Sequence, residues 1–539
     1  MFSGEERGVH AMAMFQVYDT TLRDGLQGEG VVFSVDDKIR VVQALDDLGI
    51  DYIEGGWPGA TPKDQEFFQR MKGISLKNSR LVAFGSTRRA NNRPEDDPIL
   101  RNLLEAETPT VTIFGKTWDF HVREVLRITL EENLALIEDS VAFLKAHGRE
   151  VFYDAEHFYD GYRANPEYAL ATIGAAIRGG ADMVILCDTN GGTLPKEALH
   201  IFQEISKKVT VPLGVHFHND TGMAAANSVL SVQEGARQVQ GTFNGYGERC
   251  GNANLSTILP TLVLKLKMDC KAATNLTKLT SVSRLLSELA NLHHDERQPY
   301  VGASAFAHKA GTHVDAVQKN SHTLEHIEPA SVGNVRRFLL SDQAGRSTIL
   351  NRARQLVPNV SKDAKEIKAL TNQLKELEHL GFQFEAAEAS FDLLIKKAFN
   401  LYEKVFNLEG FRVIVEKRGD NPSYSEASIK VSVNGVTEIT AAEGNGPVNA
   451  LDSAIRKALA RFYPKIQNVF LTDFKVRVLE ENSGTGAKVR VLIQTSDGRQ
   501  SWGTVGVSEN IIEASWQALV DGIEYGILEE KKDKAENGQ

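Results

Sequence analysis

At 539 residues, with 42% hydrophobic and 24% charged side chains, the chain has the composition of a soluble globular protein and enough length for two to four domains. A net charge of -10 without any compensating basic run excludes an electrostatic footprint for nucleic acid, and no run of about eighteen apolar residues is present to span a membrane. Cys187, Cys250 and Cys270 are scattered without a C-x-x-C pair, which argues against a disulfide framework or a structural zinc knuckle and leaves mostly oxygen and nitrogen as the ligands of any metal.

Residues 1–14 carry Glu5, Glu6 and Arg7 where a secretory signal would need an apolar stretch, so they read as an N-terminal extension of a cytoplasmic protein. From residue 15 to 275, short β-branched runs alternate with amphipathic segments. The predicted strands are 15–18, 52–54, 81–84, 110–114, 151–153, 183–186, 211–217 and 239–243, and helices are expected at 35–48, 131–147, 166–179, 195–209 and 223–234. Eight strand-helix units over about 250 residues match the size of an α/β (β/α)8 TIM barrel. A doubly wound open sheet competes, but it needs a glycine-rich turn after its first strand, where this chain has Asp19-Thr20-Thr21-Leu22-Arg23-Asp24-Gly25.

In a barrel, reactive groups gather at the C-terminal ends of the strands. Those positions here are polar: Asp19, Arg23 and Asp24 after strand one, Glu54 after two, Glu156 and His157 after five, and Asp188, Thr189 and Asn190 after six. Strand seven ends in His216, His218, Asn219 and Asp220, and strand eight in Asn244, Glu248, Arg249 and Asn252. His216 and His218 stand two apart, so a strand presents both on one face, where two neutral imidazoles make half of a divalent-metal site. A strand-end histidine pair also serves as a hydrogen-bonded polar rim, and this segment alone supports either.

From 276 to 410 helical patterns take over, at 283–292, 362–380 and 385–405, and read as a connecting region. Within it the small-residue segment 300–313 contains His308 and His313. From 411 to 530 an internal repeat appears. Alternating runs at 412–416, 428–433 and 436–440 lead through Gly444-Asn445-Gly446-Pro447 to a helix ending near Phe462, and runs at 472–479, 488–494 and 501–505 lead through Gly506-Val507-Ser508 to a helix ending near Tyr525. Pro447 suits a first helical position and Ser508 an N-cap, and two βββα units in tandem predict a small α+β domain. The helix starts at Gly446 and Ser508 offer N–H groups to a small carboxylate, although dimerisation alone also explains such a domain. Residues 531–539 read as a disordered tail.

The segments Asp19 to Gly25, His216-Phe217-His218-Asn219-Asp220 and Asn244-Gly245-Tyr246-Gly247-Glu248-Arg249-Cys250-Gly251-Asn252 together resemble the signature set of the acyl-CoA condensing metallo-enzymes of the isopropylmalate, homocitrate and citramalate synthase family. Gly446-Pro447-Val448-Asn449-Ala450-Leu451 resembles the helix start of that family's regulatory domain, so the likeness spans nearly the whole chain. Arg23 to Gly30, Glu54-Gly55-Gly56-Trp57-Pro58-Gly59 and Phe338 to Arg346 are most similar to its long bacterial citramalate branch, with Leu26 a departure where many relatives carry threonine.

The resemblance implies a metal-dependent condensation of acetyl-CoA with pyruvate, followed by thioester hydrolysis, in isoleucine biosynthesis. It implies that Asp24, His216, His218 and Asn252 hold a divalent ion (Mg, Mn, Zn or Co), that Arg23 stabilises the enolate or thioester oxygen, and that Thr189 meets the keto acid carboxylate. Glu156, placed after strand five, suits proton transfer, and by resemblance His313 completes that acid-base machinery from the partner subunit of a homodimer; Trp57, bulky and at the mouth of strand two, is expected to help close the acceptor pocket to branched keto acids. Isoleucine is the implied feedback effector. A synthase with a larger keto acid acceptor, an aldol-type lyase on the same barrel and a non-catalytic amino-acid sensor are the competing readings.

Overall fold

The structure, a computed structural model, describes residues 14–339, 346–357, 360–361, 363–420, 422–479, 486–498 and 500–536. The chain divides into two compact units. The first runs to Phe306 and includes His326–Arg336, and the second holds Ala307–Glu325 and the described residues from Arg337 onward.

Eight parallel strands, β1 (Gln16–Asp19), β2 (Tyr52–Gly56), β3 (Arg80–Ser86), β4 (Thr110–Lys116), β5 (Glu150–Glu156), β6 (Met183–Asp188), β7 (Leu213–Phe217) and β8 (Gln238–Gly241), pair in chain order and close when β1 meets β8. This is the expected (β/α)8 barrel. Strand seven starts two residues later than its β-branched run suggests. Pro212 has no N–H to give a ladder, and its carbonyl instead accepts from the Val184 N–H at 3.2 Å. The helices Val35–Leu48 and Pro166–Gly179 occupy the predicted spans, whereas Pro62–Met71 and Pro98–Glu105 were not anticipated. Each of those two is short, and each begins with a proline at its first turn behind an N-cap, Thr61 or Asp97, that accepts from the backbone.

Alternation along the strands separates two cores. Val17, Ile53, Val184, Leu186, Val215 and Val239 face the surrounding helices in one large cluster. Their neighbours Tyr18, Tyr52, Val82, Phe152, Met183, Ile185 and Cys187 pack together as a second cluster inside the barrel. Inside, Tyr18 Oη and Thr112 Oγ1 lie 2.9 Å apart, which keeps a buried hydroxyl satisfied. Carrying the same alternation onward turns Glu54, Asp154, His216 and Gln240 inward. The barrel therefore has an apolar plug capped by a polar layer.

Residues 276–306, expected at the head of the connecting region, pack with the barrel: Leu279, Val282, Leu286, Val301 and Phe306 all join its outer core. The second unit contains the helices Gly311–Lys319, Arg346–Leu356, Lys365–His379 and Glu388–Ala398. The last of these stops well before the expected residue 405. Asn400 adopts a left-handed φ of 56°, its N–H bonds Lys397 O, and the Leu401 N–H bonds Lys396 O, closing the helix in a Schellman turn. Arg352 clamps the buried Asp392 through two contacts of 2.6 Å.

Two antiparallel sheets follow, Asn407–Glu416, Tyr424–Val433 and Val436–Gly444, then Phe470–Val478, Val489–Ser496 and Ser501–Ser508, with the helices Pro447–Ala460 and Ile511–Glu536 after them. The tandem βββα repeat is thus present, with Pro447 at the first turn behind Gly446, which lacks a side-chain cap. Ser508, expected as an N-cap, ends the last strand instead. Asn510 caps the helix, its Oδ1 accepting from the Ile512 and Glu513 N–H groups at 2.8 and 3.4 Å, while Ser508 Oγ accepts only from Asn510 N–H. The helix also continues to Glu536 through part of the expected disordered tail; residues 537–539, the extension before Met14 and residues 340–345 of the Phe338 to Arg346 motif lie outside the described residues. No helix among the described residues is long and apolar enough to cross a membrane.

Candidate metal and active site

The loop after β1 folds back on itself, with the Arg23, Asp24 and Gly25 N–H groups all bonded to Thr20 O. That turn aims Asp24 into the polar layer. Its Oδ2 lies 3.2 Å from His216 Nε2 and 3.8 Å from His218 Nε2, and one ligand atom from each of the three residues falls within 4.8 Å of the others. All three are buried. His216 belongs to β7, and His218 follows it in an isolated bridge with Asn252, so the barrel-closing loop lies directly against the histidine pair. That loop depends on glycine: a Cβ on Gly247, at φ 155°, would sit 2.9 Å from Asn252 Nδ2.

Charges in this layer are strongly coupled. Burial alone would lift the Asp24 carboxyl, but the Arg23 guanidinium and the two imidazoles hold it well below the usual carboxylate range. Burial would lower His216, and its hydrogen bond to Asp24 raises it instead. His218, with a weaker hold on the carboxylate, is pushed down to about 4 by burial and so stays neutral near pH 7. Asp154 is lifted to about 7, chiefly by burial.

Asp24 Oδ1, His218 Nδ1 and both side-chain atoms of Asn252 are buried without a hydrogen-bond partner. A buried polar atom left unsatisfied costs about 1 to 3 kcal/mol, and the two orphaned acceptors among them, Asp24 Oδ1 and Asn252 Oδ1, are a deficit that a bound cation would relieve. A carboxylate, two imidazoles and an amide oxygen suit a hard or borderline divalent ion, and the residues present fit such a group.

Arg23 is fixed on three sides. Nε meets both Glu54 oxygens at 3.2 Å, Nη1 meets Asp24 Oδ2 at 3.2 Å, and the guanidinium carbon lies 3.8 Å over the Phe84 ring. A desolvated cation–π contact of that kind adds about 2 kcal/mol to the hold. Trp57 meets Phe84 and Phe114 edge-on at 5.9 Å each, and those two phenyl rings stack at 5.5 Å. A bulge between Glu54 and Gly56 in β2, with Gly56 at φ 136°, turns the chain so that Trp57 can join them.

Glu156 ends β5 paired with Lys116 Nζ at 2.5 Å. Thr189, after β6, accepts the His157 N–H at 2.9 Å, and its carbonyl accepts from Arg249 Nη2 at 2.7 Å. His157 holds a left-handed φ of 56° and pairs with Asp160 at 3.2 Å. His313 belongs to the second unit, exposed on Gly311–Lys319, where His308 pairs with the buried Glu325 at 3.0 Å. The barrel thus assembles Asp24, His216, His218, Asn252, Arg23 and Trp57 from its own loops. Phe84, Phe114, Lys116, Asp154 and Gln240 were not singled out from sequence. For Gln240 a signal existed, because Gln238 and Gln240 alternate with Val239 on the face that in a barrel points inward.

The HMGL-like family model matches residues 14–286, the homocitrate synthase post-HMGL domain-like model residues 300–381, and the LeuA allosteric (dimerisation) domain model residues 385–527. The chain is 55% identical to an (R)-citramalate synthase of Geobacter sulfurreducens, covering 95% of this chain and 98% of the relative. It is 52% identical to an (R)-citramalate synthase of Aquifex aeolicus, covering 96% and 98%, and 30% identical to a probable 2-isopropylmalate synthase of Methanopyrus kandleri, covering 94% and 97%. Among solved structures, the HMG-CoA lyase of Bacillus subtilis aligns over 52% of this chain and 95% of its own, at 21% identity and a TM-score of 0.45.

Proposed function

This chain belongs to the HMGL-like family and, within it, to the (R)-citramalate synthases, and from that membership we propose that it condenses acetyl-CoA with pyruvate and hydrolyses the thioester to citramalate and CoA. The observation that carries the reading is the meeting of Asp24, His216 and His218 at the barrel mouth beside an immobilised arginine. Asp24, His216 and His218, with Asn252 as a further oxygen donor, would hold a divalent ion, which when bound would supply Lewis-acid polarisation of the acceptor ketone.

The chain's own groups account for the rest. Glu156 takes a methyl proton from acetyl-CoA at the α carbon. Arg23, whose Nε and Nη1 are already engaged, keeps Nη2 for the developing enolate oxygen, a fixed donor aimed where charge appears. Thr189 accepts from His157 and retains its own hydroxyl proton for the keto acid carboxylate. His313 supplies a proton from the partner subunit. A dimer is supported by the match to the LeuA dimerisation domain and by edge strands that leave Leu408, Ile414, Val415, Phe470, Val476 and Val478 exposed. In this reading residues 15–275, with 276–306 packed on them, catalyse, the rest of 276–410 connects, and 411–530 regulate and dimerise.

The test is release of free thiol by the metal-loaded protein given acetyl-CoA and a panel of keto acids. Pyruvate as the preferred acceptor supports the reading. Preference for 2-oxoisovalerate or 2-oxoglutarate transfers the chain to a sibling activity, and no thiol release with any of them turns the reading toward a lyase.

Trp57 closes the pocket to branched acceptors in this account, against the Phe84 and Phe114 rings. Trp57→Ala is expected to shift the pyruvate to 2-oxoisovalerate ratio of kcat/KM by about 10-fold to 100-fold, the worth of one or two carbons in an apolar pocket. An unchanged ratio removes Trp57 from specificity.

Isoleucine is the proposed effector, its carboxylate seated at the helix start behind Gly446, where a side chain would meet nothing within 4 Å. The corresponding start near Ser508 is occupied by Asn510, so the regulatory role narrows to Gly446. Gly446→Asp adds a carboxylate to that end and is expected to raise the isoleucine concentration for half inhibition by about tenfold. Unaltered inhibition places the effector elsewhere.

A further inference from the structure

His216 faces the candidate cation with Nε2, and what its other nitrogen does decides whether that face is a lone pair or a proton. Nδ1 lies 3.0 Å from Gln240 Oε1, on the neighbouring strand β8. An amide offers an oxygen on one side and N–H donors on the other, so the partner of the amide nitrogen fixes which way the group stands. Gln240 Nε2 lies 3.3 Å from Asp154 Oδ1 and 3.3 Å from Gln238 Oε1, two acceptors. Turned over, the amide would bring its oxygen against the Asp154 and Gln238 oxygens, so the carbonyl stands toward His216 and calls for a proton on Nδ1. Gln238 and Gln240 are fully buried and Asp154 is 4% exposed, so no solvent relaxes the choice.

We propose that Gln240, oriented by Asp154 and Gln238, is a positioning residue that holds His216 in its Nδ1–H tautomer and so presents the Nε2 lone pair to the cation. The inference rests on the metal reading above and extends it to three inward side chains on β5 and β8. A His216 freed from Gln240 can carry its proton on Nε2, where it opposes ligation, and can rotate about its ring axis. Loss of such outer hydrogen bonds weakens metal affinity about 10-fold to 100-fold.

Cobalt(II) titration of the full-length apoprotein, followed by its visible absorption, tests this with a readout independent of turnover. Gln240→Met removes both the acceptor and the donor at similar volume, and is expected to weaken cobalt binding 10-fold to 100-fold and to alter the visible band. Gln240→Glu keeps an acceptor for Nδ1–H and can share a proton with Asp154, and is expected to restore binding to within about threefold of wild type. If the methionine variant does not fold, Gln240→Asn tests the same point, since it withdraws the carbonyl from Nδ1 by about one methylene. Wild-type affinity and band in the folded methionine or asparagine variant overturn the proposal. Failure of the wild-type protein to bind cobalt, or equal binding by His216→Ala, overturns the metal reading itself.

Discussion

Replacing Asp24 with asparagine is expected to lower kcat for thiol release by about 10³-fold, equivalent to the several kcal/mol of charge stabilisation that a polarising ion supplies. Asparagine keeps the shape of the side chain and removes its charge, and Asp24 is the single carboxylate in the candidate ligand cluster. The loss should fall equally on metal affinity, read by cobalt or manganese titration, because the two imidazoles alone cannot neutralise a divalent ion. Arg23 retains Glu54, so its clamp survives the change. Melting temperature serves as the control for folding. A variant that condenses normally while binding metal normally would show that the meeting of Asp24 with His216 and His218 is a structural bond, and the proposed electrophile would have no basis.

Arg23→Lys is expected to lower kcat by about 10²-fold to 10³-fold with little change in the KM for pyruvate, the pattern left by losing a donor that acts on the transition state. Charge is conserved in this substitution, and geometry is not. A guanidinium can bind Glu54 through Nε and Asp24 through Nη1 while leaving Nη2 free, and it can lie flat on Phe84. An ammonium is one point charge that would collapse onto Glu54 or Asp24. Steady-state kinetics at saturating acetyl-CoA measure the outcome, and a wild-type kcat would remove Arg23 from the chemistry.

The barrel is legible in the sequence because eight short apolar, β-branched-rich runs alternate with amphipathic segments, six of them running into polar ends, and eight such runs fit one closed sheet. The tandem repeat is legible for a similar reason, since three alternating runs and a helix recur in order. Asp24, His216 and His218 stand out because charged and imidazole groups at strand ends are conspicuous against apolar neighbours. What surrounds them is less visible. Phe84 and Phe114 read simply as core residues, and only the pairing of β1 and β3 on either side of β2 brings an arginine from the loop after β1 over a ring from β3. Asp154 and Gln240 are separated by 86 positions, and their contact follows from inward pointing on strands five and eight. The Ser508 assignment fails locally: two N-cap residues stand two apart, and Asn510 wins because its carbonyl reaches both of the first free N–H groups.

The unlike helix starts of the C-terminal repeat set a stoichiometry. Duplicated units with the same strand order would offer two equivalent seats for a small anion, yet one of them is already filled by an asparagine side chain of the chain itself. On the proposed regulatory role, an amino-acid ligand that seeks bare backbone N–H groups finds them at one of the two repeat starts, and a titration should saturate at one molecule per chain rather than two.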